Sequence, residues 1–341
     1  MSGMWRTVGH DKAVAALARA LGESRIAHAY IIVGPTSVGK MTLAMDVARA
    51  LNCQGDTPPC GACTQCTRIS NALHPDVRLV ELETDDKGKL RTSISINQVR
   101  DVQREASLKP YEGASRVYIF DGAERLQDAA ANALLKTLEE PPDQVVLILL
   151  ASAMEAILPT MLSRCRRVDL RPVSVEIVAD HLVRRHELDP EKADEIARLS
   201  GGRLGWAIRA VADPELLEQI GQQVEAVERT VQSGLESRLE YAAQLATRFT
   251  RERADALGEL DVWLGWWRDA MMVGEGTPEL VRNTSRMSEL EAVAGRMDKR
   301  SIAEAVRSVG RAAELLERNV NPRLAIEEML LAIPMPQSAR Q

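Results

Sequence analysis

A glycine-rich segment that follows an apolar stretch contains the residues with the clearest chemical potential. After Ile31, Ile32 and Val33, the chain reads Gly34-Pro35-Thr36-Ser37-Val38-Gly39-Lys40-Met41-Thr42. Glycines let consecutive backbone N–H groups turn toward one anion, and a following helix adds partial positive charge at its N-terminus. Lys40 can then reach the β- and γ-phosphates of a nucleotide. The segment predicts a P-loop; a glycine-rich turn without a ligand is the alternative.

The residue after Lys40 departs from the P-loop pattern. A serine or threonine is expected there, because its hydroxyl ligates Mg²⁺. This chain has Met41 instead. Thr42 lies one residue later, about 100° further around a helix, so we expect it to point away from the metal. ATP or ADP is therefore a candidate ligand, and a vestigial loop that organises the fold is the alternative.

A carboxylate ends a second apolar stretch, predicted as a strand at 117–121. Asp121 occupies the place of the Walker B aspartate, which holds Mg²⁺ in P-loop ATPases. An acid that polarises the attacking water is expected at the next position, but that residue is Gly122. We expect Glu124 to face elsewhere. Ser152, after a third apolar stretch, is either a γ-phosphate sensor or a strand-end turn residue.

Four of the five cysteines are clustered. They are Cys53, Cys60, Cys63 and Cys66. Six residues separate the first two, and two residues separate each later neighbouring pair. In a chain without an export signal, such a cluster indicates a metal site rather than disulfides. Four thiolates close a tetrahedral Zn²⁺ site and leave no position for water, so the predicted zinc is structural. Four free thiols in a flexible loop are the alternative.

Composition limits the classes of function. The 341 residues include 45% hydrophobic but only 3% aromatic residues, which disfavours broad stacking platforms for single strands. The net charge of −6 argues against a generally basic nucleic-acid binder. The longest apolar run, at 145–151, is too short to cross a bilayer. We expect a cytoplasmic protein without a membrane partner.

Apolar strands alternate with helices as far as residue 170, which predicts an α/β domain with a parallel sheet covered by helices. Beyond 171 the pattern is helical. Trp263, Trp266 and Trp267 are expected in a core or an interface. The predicted domains are the P-loop domain at 1–170 with its cysteine module at 53–66, a three-helix lid at 171–212, and a helical C-terminal oligomerisation domain at 213–341.

These segments resemble the bacterial clamp-loader subunits of the AAA+ class. The resemblance rests on His28-Ala29-Tyr30 before the P-loop, the inserted cysteine module, Leu134-Leu135-Lys136-Thr137-Leu138-Glu139-Glu140-Pro141-Pro142, and Ser163-Arg164-Cys165. It covers essentially the whole chain, most specifically residues 28–170. It implies a AAA+ fold with a collar-like C-terminal domain, and assembly with gamma/tau and delta subunits of DNA polymerase III. Such a complex loads the sliding clamp onto primed DNA, so contact with DNA is expected only indirectly.

The departures distinguish this chain from the motor subunits of that family. The motors have an intact P-loop, an acidic pair at Walker B and a sensor-2 arginine; here Met41, Gly122 and Gly205 stand at those positions, whereas Ser163-Arg164-Cys165 is kept. The resemblance to non-motor members implies that Arg164, with Ser163 beside it, acts in trans on the ATP of a neighbouring gamma/tau subunit. Residue chemistry alone favours the alternative that Arg164 is a surface arginine in a basic cluster with Arg166 and Arg167.

Three hypotheses follow. The first is a clamp-loader subunit whose own ATPase activity is absent or very weak. The second is an active gamma/tau-like ATPase in which Thr42 or water completes the metal shell. The third is a zinc-dependent nucleic-acid-binding module, which the composition disfavours.

Overall fold

The computed structural model describes residues 3–85, 88, 90–152, 154–155, 157–317 and 320–334. The chain divides into two compact units. One comprises Met1–His181 with Gly202–Trp206, and the other comprises Leu182–Gly201 with Ala207–Gln341. The domain boundaries near 170 and 212 stay predictions.

The first unit contains a parallel sheet, as the alternating strands and helices predict. Its strands are β1 (Ala29–Val33), β2 (Val77–Val80), β3 (Arg116–Asp121), β4 (Val145–Ala151) and β5 (Arg166–Asp169), in the order β2-β3-β4-β1-β5. Every residue of β1 and β4 is buried, because helices cover both faces of the sheet. Asp121 pairs with Leu150, and Val33 pairs with Ala151. The carboxyl ends of the three central strands therefore meet at one edge.

The helices of this unit are α1 (Asp11–Gly22), α2 (Lys40–Asn52), α3 (Thr64–Ser70), α4 (Ile96–Ala106), α5 (Asp128–Glu139) and α6 (Pro159–Leu162). Local sequence explains their ends. Ser95 and Gln98 form a capping box at the start of α4. The α5 helix ends just before Pro141 and Pro142, which cannot continue a helix. The short helices α3 and α6 are not predicted by the sequence pattern.

The remaining chain is helical. Its elements are α7 (Val175–His186), which the two units share, then α8 (Pro190–Ser200), α9 (Leu204–Ala212), α10 (Pro214–Gln232), α11 (Leu235–Arg251), α12 (Arg253–Gly274), α13 (Met287–Arg296), α14 (Lys299–Glu317) and α15 (Pro322–Ala332). Trp263, Trp266 and Trp267 are buried in one core of the second unit, which confirms the prediction of a core position. Among the described residues, no helix has the length and apolar character that a membrane span requires.

Candidate functional site

The P-loop connects β1 to α2 and holds Lys40 in a fixed position. The Lys40 ammonium donates hydrogen bonds to the carbonyl oxygens of Gly34 (2.5 Å) and Pro35 (3.0 Å). Burial lowers the pKa of Lys40, and the negative charges of Glu124 and Asp121 oppose that shift. The loop therefore fixes the Lys40 ammonium where the charges of Glu124 and Asp121 act on it.

A cavity of about 480 Å³ lies at this edge of the sheet. It brings together groups from four segments of the chain, among them the predicted site residues Lys40 and Asp121. Its lining includes Thr36, Ser37, Gly39, Lys40, Met41, Thr42, Asp121, Gly122, Glu124, Ser152 and Gly205. The cavity size is in the range of small-molecule sites. Met41 lines the cavity and also packs against the apolar core below. Because its side chain ends in a thioether, it offers no hydroxyl to a metal.

The prediction that Glu124 faces elsewhere is wrong. Its Oε1 accepts the backbone N–H of Ser152 at 3.3 Å, and among the described residues its buried Oε2 has no hydrogen-bond partner. Gly122 adopts a φ of +84° before a short 3₁₀ helix at Ala123–Arg125. This turn brings Glu124 back toward the sheet edge, which residue spacing along an extended strand does not anticipate.

Gly205 lies directly against the P-loop. Its backbone N–H donates to the carbonyl oxygen of Ser37 at 2.8 Å. A Cβ atom at this position would be 2.9 Å from the same oxygen. The place that corresponds to a sensor-2 arginine in the family resemblance is therefore filled by backbone, and a side chain would require the P-loop or α9 to shift.

The four clustered cysteines converge as their spacing predicts. The sulfur atoms of Cys53, Cys60, Cys63 and Cys66 all lie within 4.8 Å of one another, and no disulfide joins them. A tetrahedral zinc site with Zn–S bonds of about 2.3 Å places its sulfurs about 3.8 Å apart, so this spacing suits such a site. Cys66 is held by α3, and the other three come from the preceding turns.

Backbone N–H groups surround these sulfurs. The Cys53 sulfur accepts from the N–H groups of Gly55 (3.3 Å) and Cys60 (3.2 Å), and the Cys60 sulfur accepts from that of Cys63 (3.3 Å). Burial opposes ionisation of Cys63, but N–H groups of Gln54 and Cys66 and hydrogen bonds with the Cys60 and Cys66 side chains together lower the Cys63 pKa to about 6. Burial raises the Cys66 pKa to about 12. The donor set fits a thiolate-binding ion such as Zn²⁺, whose binding would displace the remaining thiol protons.

Arg164 lies at the surface of the first unit, just after α6. Its Nη1 donates to the carbonyl oxygen of Thr160 (2.8 Å) and to Ser163 Oγ (3.2 Å), while Nη2 is 2.7 Å from Glu139 Oε1. Cys165 faces inward, and burial raises its pKa to about 11. The Ser163-Arg164-Cys165 triplet thus caps a helix, exposes a guanidinium and anchors the turn in the core.

Sequence reasoning missed two acidic residues that bear on these sites. Glu124 lies in the P-loop cavity, and Glu139 contacts Arg164. The sequence does place Glu139 at the end of a helix, because Pro141 follows closely. The sequence separation of Glu139 and Arg164 gives no indication that the two residues are in contact. Ser152 does lie in the cavity, and its role as a γ-phosphate sensor stays a prediction.

Comparison with known proteins gives consistent relatives. Residues 9–174 match the family model described as DNA polymerase III, delta subunit. DNA polymerase III subunit delta' of Bacillus subtilis (strain 168) is 25% identical over 318 residues, which cover 93% of this chain and 94% of that protein. DNA polymerase III subunit tau of Escherichia coli (strain K12) is 32% identical over 222 residues. That similarity covers 63% of this chain and 33% of tau, so the chain spans about a third of the length of that relative.

Among solved structures, the Thermotoga maritima RuvB Holliday junction branch migration motor aligns with a TM-score of 0.42 at 16% sequence identity. The alignment covers 67% of this chain and 66% of that one. The sequence relatives are both subunits of DNA polymerase III, as is the protein that the family model describes. This chain is therefore similar to DNA polymerase III subunits, over residues 9–174 in the family model and over nearly its whole length in the delta' subunit of Bacillus subtilis.

Proposed function

We propose that this chain is a delta-prime-type subunit that supplies Arg164 in trans to the ATP site of a neighbouring gamma/tau subunit. The observation that supports this most directly is the presentation of Arg164. Its guanidinium lies at the surface, is 34% exposed and is held by three acceptors. An arginine inserted in trans neutralises charge that develops on a transferred phosphoryl group. Its fork also matches phosphate oxygens.

Three features of the chain's own cavity support the absence of hydrolysis there. Met41 provides no hydroxyl for Mg²⁺, Gly122 provides no carboxylate for the attacking water, and Gly205 places backbone where an arginine would contact phosphate. Phosphoryl transfer depends on these positioning and charge-stabilising groups. In this proposal the P-loop organises the fold and at most holds ATP or ADP without turnover.

The proposed partners are the gamma/tau and delta subunits. Through that complex the chain would help to open the sliding clamp and load it onto primed DNA. The helical region at 213–341, which contributes the tryptophan core, is the proposed oligomerisation domain. The Zn²⁺ proposed at Cys53, Cys60, Cys63 and Cys66 would act structurally, since four protein ligands complete its coordination.

The test is ATP turnover by the isolated chain and by the complex reconstituted with gamma/tau and delta. We expect essentially no turnover by the isolated chain. Arg164→Ala should lower turnover at the neighbouring ATP site by about 10³-fold or more. Total turnover of the complex should fall by the fraction that this site contributes. Lys40→Ala should change the turnover of the complex little. A large loss from Lys40→Ala together with a silent Arg164→Ala would refute the proposal.

An active ATPase is the second candidate, and the position of Glu124 favours it. This carboxylate lies in the same cavity as Lys40 and Asp121, with one oxygen buried and unpartnered among the described residues. It could substitute for the acid absent at Gly122, with Thr42 or water completing a metal shell. DNA-stimulated turnover by the isolated chain, abolished by Glu124→Gln, would establish this candidate and exclude the first.

A further inference from the structure

Glu139 and Arg164 form an ion pair between the end of α5 and the turn after α6. Glu139 Oε1 lies 2.7 Å from Arg164 Nη2. On the other side of the guanidinium, Nη1 donates to Thr160 O at 2.8 Å and to Ser163 Oγ at 3.2 Å. Acceptors from two separate helical segments therefore fix the plane of the guanidinium.

The same core holds both ends of this ion pair. Leu134 and Leu138 anchor the inner face of α5 and are buried. Leu162 and Cys165, on either side of Arg164, pack against the cluster that contains those two leucines. Packed cores are dense and deform little, so the distance between Glu139 and the backbone at Arg164 is set by the fold rather than by the exposed side chains.

An arginine without such contacts samples many rotamers, and fixing it on arrival of a ligand costs free energy. A guanidinium has five N–H donors. The contacts made by described residues engage three of them, so the fork can be oriented by Glu139 and still meet phosphate oxygens. Exposure of both side chains, 34% for Arg164 and 49% for Glu139, leaves the pair accessible to a neighbouring subunit.

We propose that Glu139 is a positioning residue that holds Arg164 in the orientation required at the ATP site of the adjacent subunit. The inference rests on the proposed trans role of Arg164. Glu139 contacts the guanidinium and acts through it. Thr160 and Ser163 complete the support, because their oxygens contact the opposite end of the guanidinium from Glu139.

The experiment uses the complex reconstituted with gamma/tau and delta subunits. Glu139→Ala should lower kcat for ATP at the affected site about two- to fivefold, since an exposed ion pair stabilises one arrangement only weakly. The KM for ATP should stay unchanged, because Glu139 does not contact the nucleotide. Glu139→Gln retains an oxygen acceptor and should lose less. Thermal unfolding and co-purification of each variant check that fold and assembly are intact.

Two controls separate positioning from a general structural effect. Glu140→Ala removes the adjacent exposed carboxylate and should leave kcat unchanged. In an Arg164→Ala background, Glu139→Ala should have no further effect, since its partner is absent. An unchanged or raised kcat in Glu139→Ala, or an equal loss in the Arg164→Ala background, would overturn the inference.

These outcomes distinguish the two proposals. If Arg164→Ala leaves turnover unchanged, the trans role itself is refuted. If Arg164→Ala lowers turnover but Glu139→Ala leaves it unchanged or raises it, only the positioning role of Glu139 is refuted, and a raised kcat identifies the pair as an inhibitory contact.

Discussion

The backbone N–H of Gly205 donates a hydrogen bond to the carbonyl oxygen of Ser37 over 2.8 Å. This contact joins the start of α9 to the middle of the P-loop. A Cβ atom at residue 205 would approach the same oxygen to 2.9 Å. Backbone atoms therefore fill the space beside the P-loop that a side chain at residue 205 would need.

Gly205→Ala should consequently destabilise the first unit. We expect a decrease of about 1–3 kcal/mol in the free energy of unfolding, the usual cost of inserting an atom into a close contact, measured by urea titration. The matched control is Gly221→Ala in α10, where a Cβ meets nothing within 4 Å; a glycine-to-alanine change in an open helix interior stabilises by about 0.5–1 kcal/mol. Equal effects at the two glycines would contradict the close-packing account.

Met41→Thr should introduce the hydroxyl that the cavity lacks. We expect the isolated variant to bind ADP more tightly in Mg²⁺ than in EDTA, measured by calorimetry, because the hydroxyl at this position is a metal ligand in intact P-loops. Turnover should stay absent, since Gly122 is unchanged. Met41→Leu keeps an apolar side chain and should show no gain. The same Mg²⁺ dependence in the unmodified protein would mean that another group already replaces the hydroxyl.

The cysteine cluster should hold about one Zn²⁺ per chain, the content of a single four-thiolate site. Metal analysis of protein purified without chelator measures this directly. Cys60→Ser should lower the zinc content and increase proteolysis within 53–66, whereas the second unit should keep its fold. Cys165→Ser alters the cysteine outside the cluster and should retain the metal. Zinc-free protein with an unchanged cleavage pattern would exclude the structural metal site.

His74 should make the first unit sensitive to acid. It is buried, its Nε2 is 2.5 Å from Gln65 Oε1, and its Nδ1 accepts the N–H of Asp76 at 3.1 Å. Burial lowers the pKa of His74 below its usual value of 6.5. The unfolded chain therefore binds a proton at a higher pH than the folded chain, so stability is greatest above pH 6.5 and falls as the pH drops below it.

Urea titrations at pH 7.5 and pH 5.5 measure this dependence. His74→Gln should lower stability at pH 7.5 and reduce the further loss at pH 5.5, because it removes the titrating ring. Asp76 should cause a separate loss of stability at lower pH. Burial raises the pKa of Asp76, but N–H groups of Tyr111, Glu112 and Gly113, with the charge of Arg116, produce a net lowering. His28→Gln, at a histidine outside this network, serves as the control. An unchanged pH dependence in His74→Gln would assign the acid sensitivity elsewhere.

Features that depend on neighbouring residues could be predicted from the sequence. The order of strand, glycine-rich loop and helix identifies the P-loop, because each element is specified by periodicity and turn residues within a short stretch. The spacing of Cys60, Cys63 and Cys66 likewise predicts convergence of their sulfurs. The absence of a hydroxyl at Met41 and of a carboxylate at Gly122 is also evident from the residue types.

Only the tertiary structure decided which distant groups meet. The strand order places Asp121 and Ser152 beside Lys40, and a left-handed turn at Gly122 directs Glu124 into their cavity. The structure also shows that Gly205 contacts the P-loop at Ser37. It shows as well that Glu139 contacts Arg164 at the surface. Residue types and local spacing determine which chemistry is available, but the packing of sheet and helices determines the distances between groups that lie far apart in the chain.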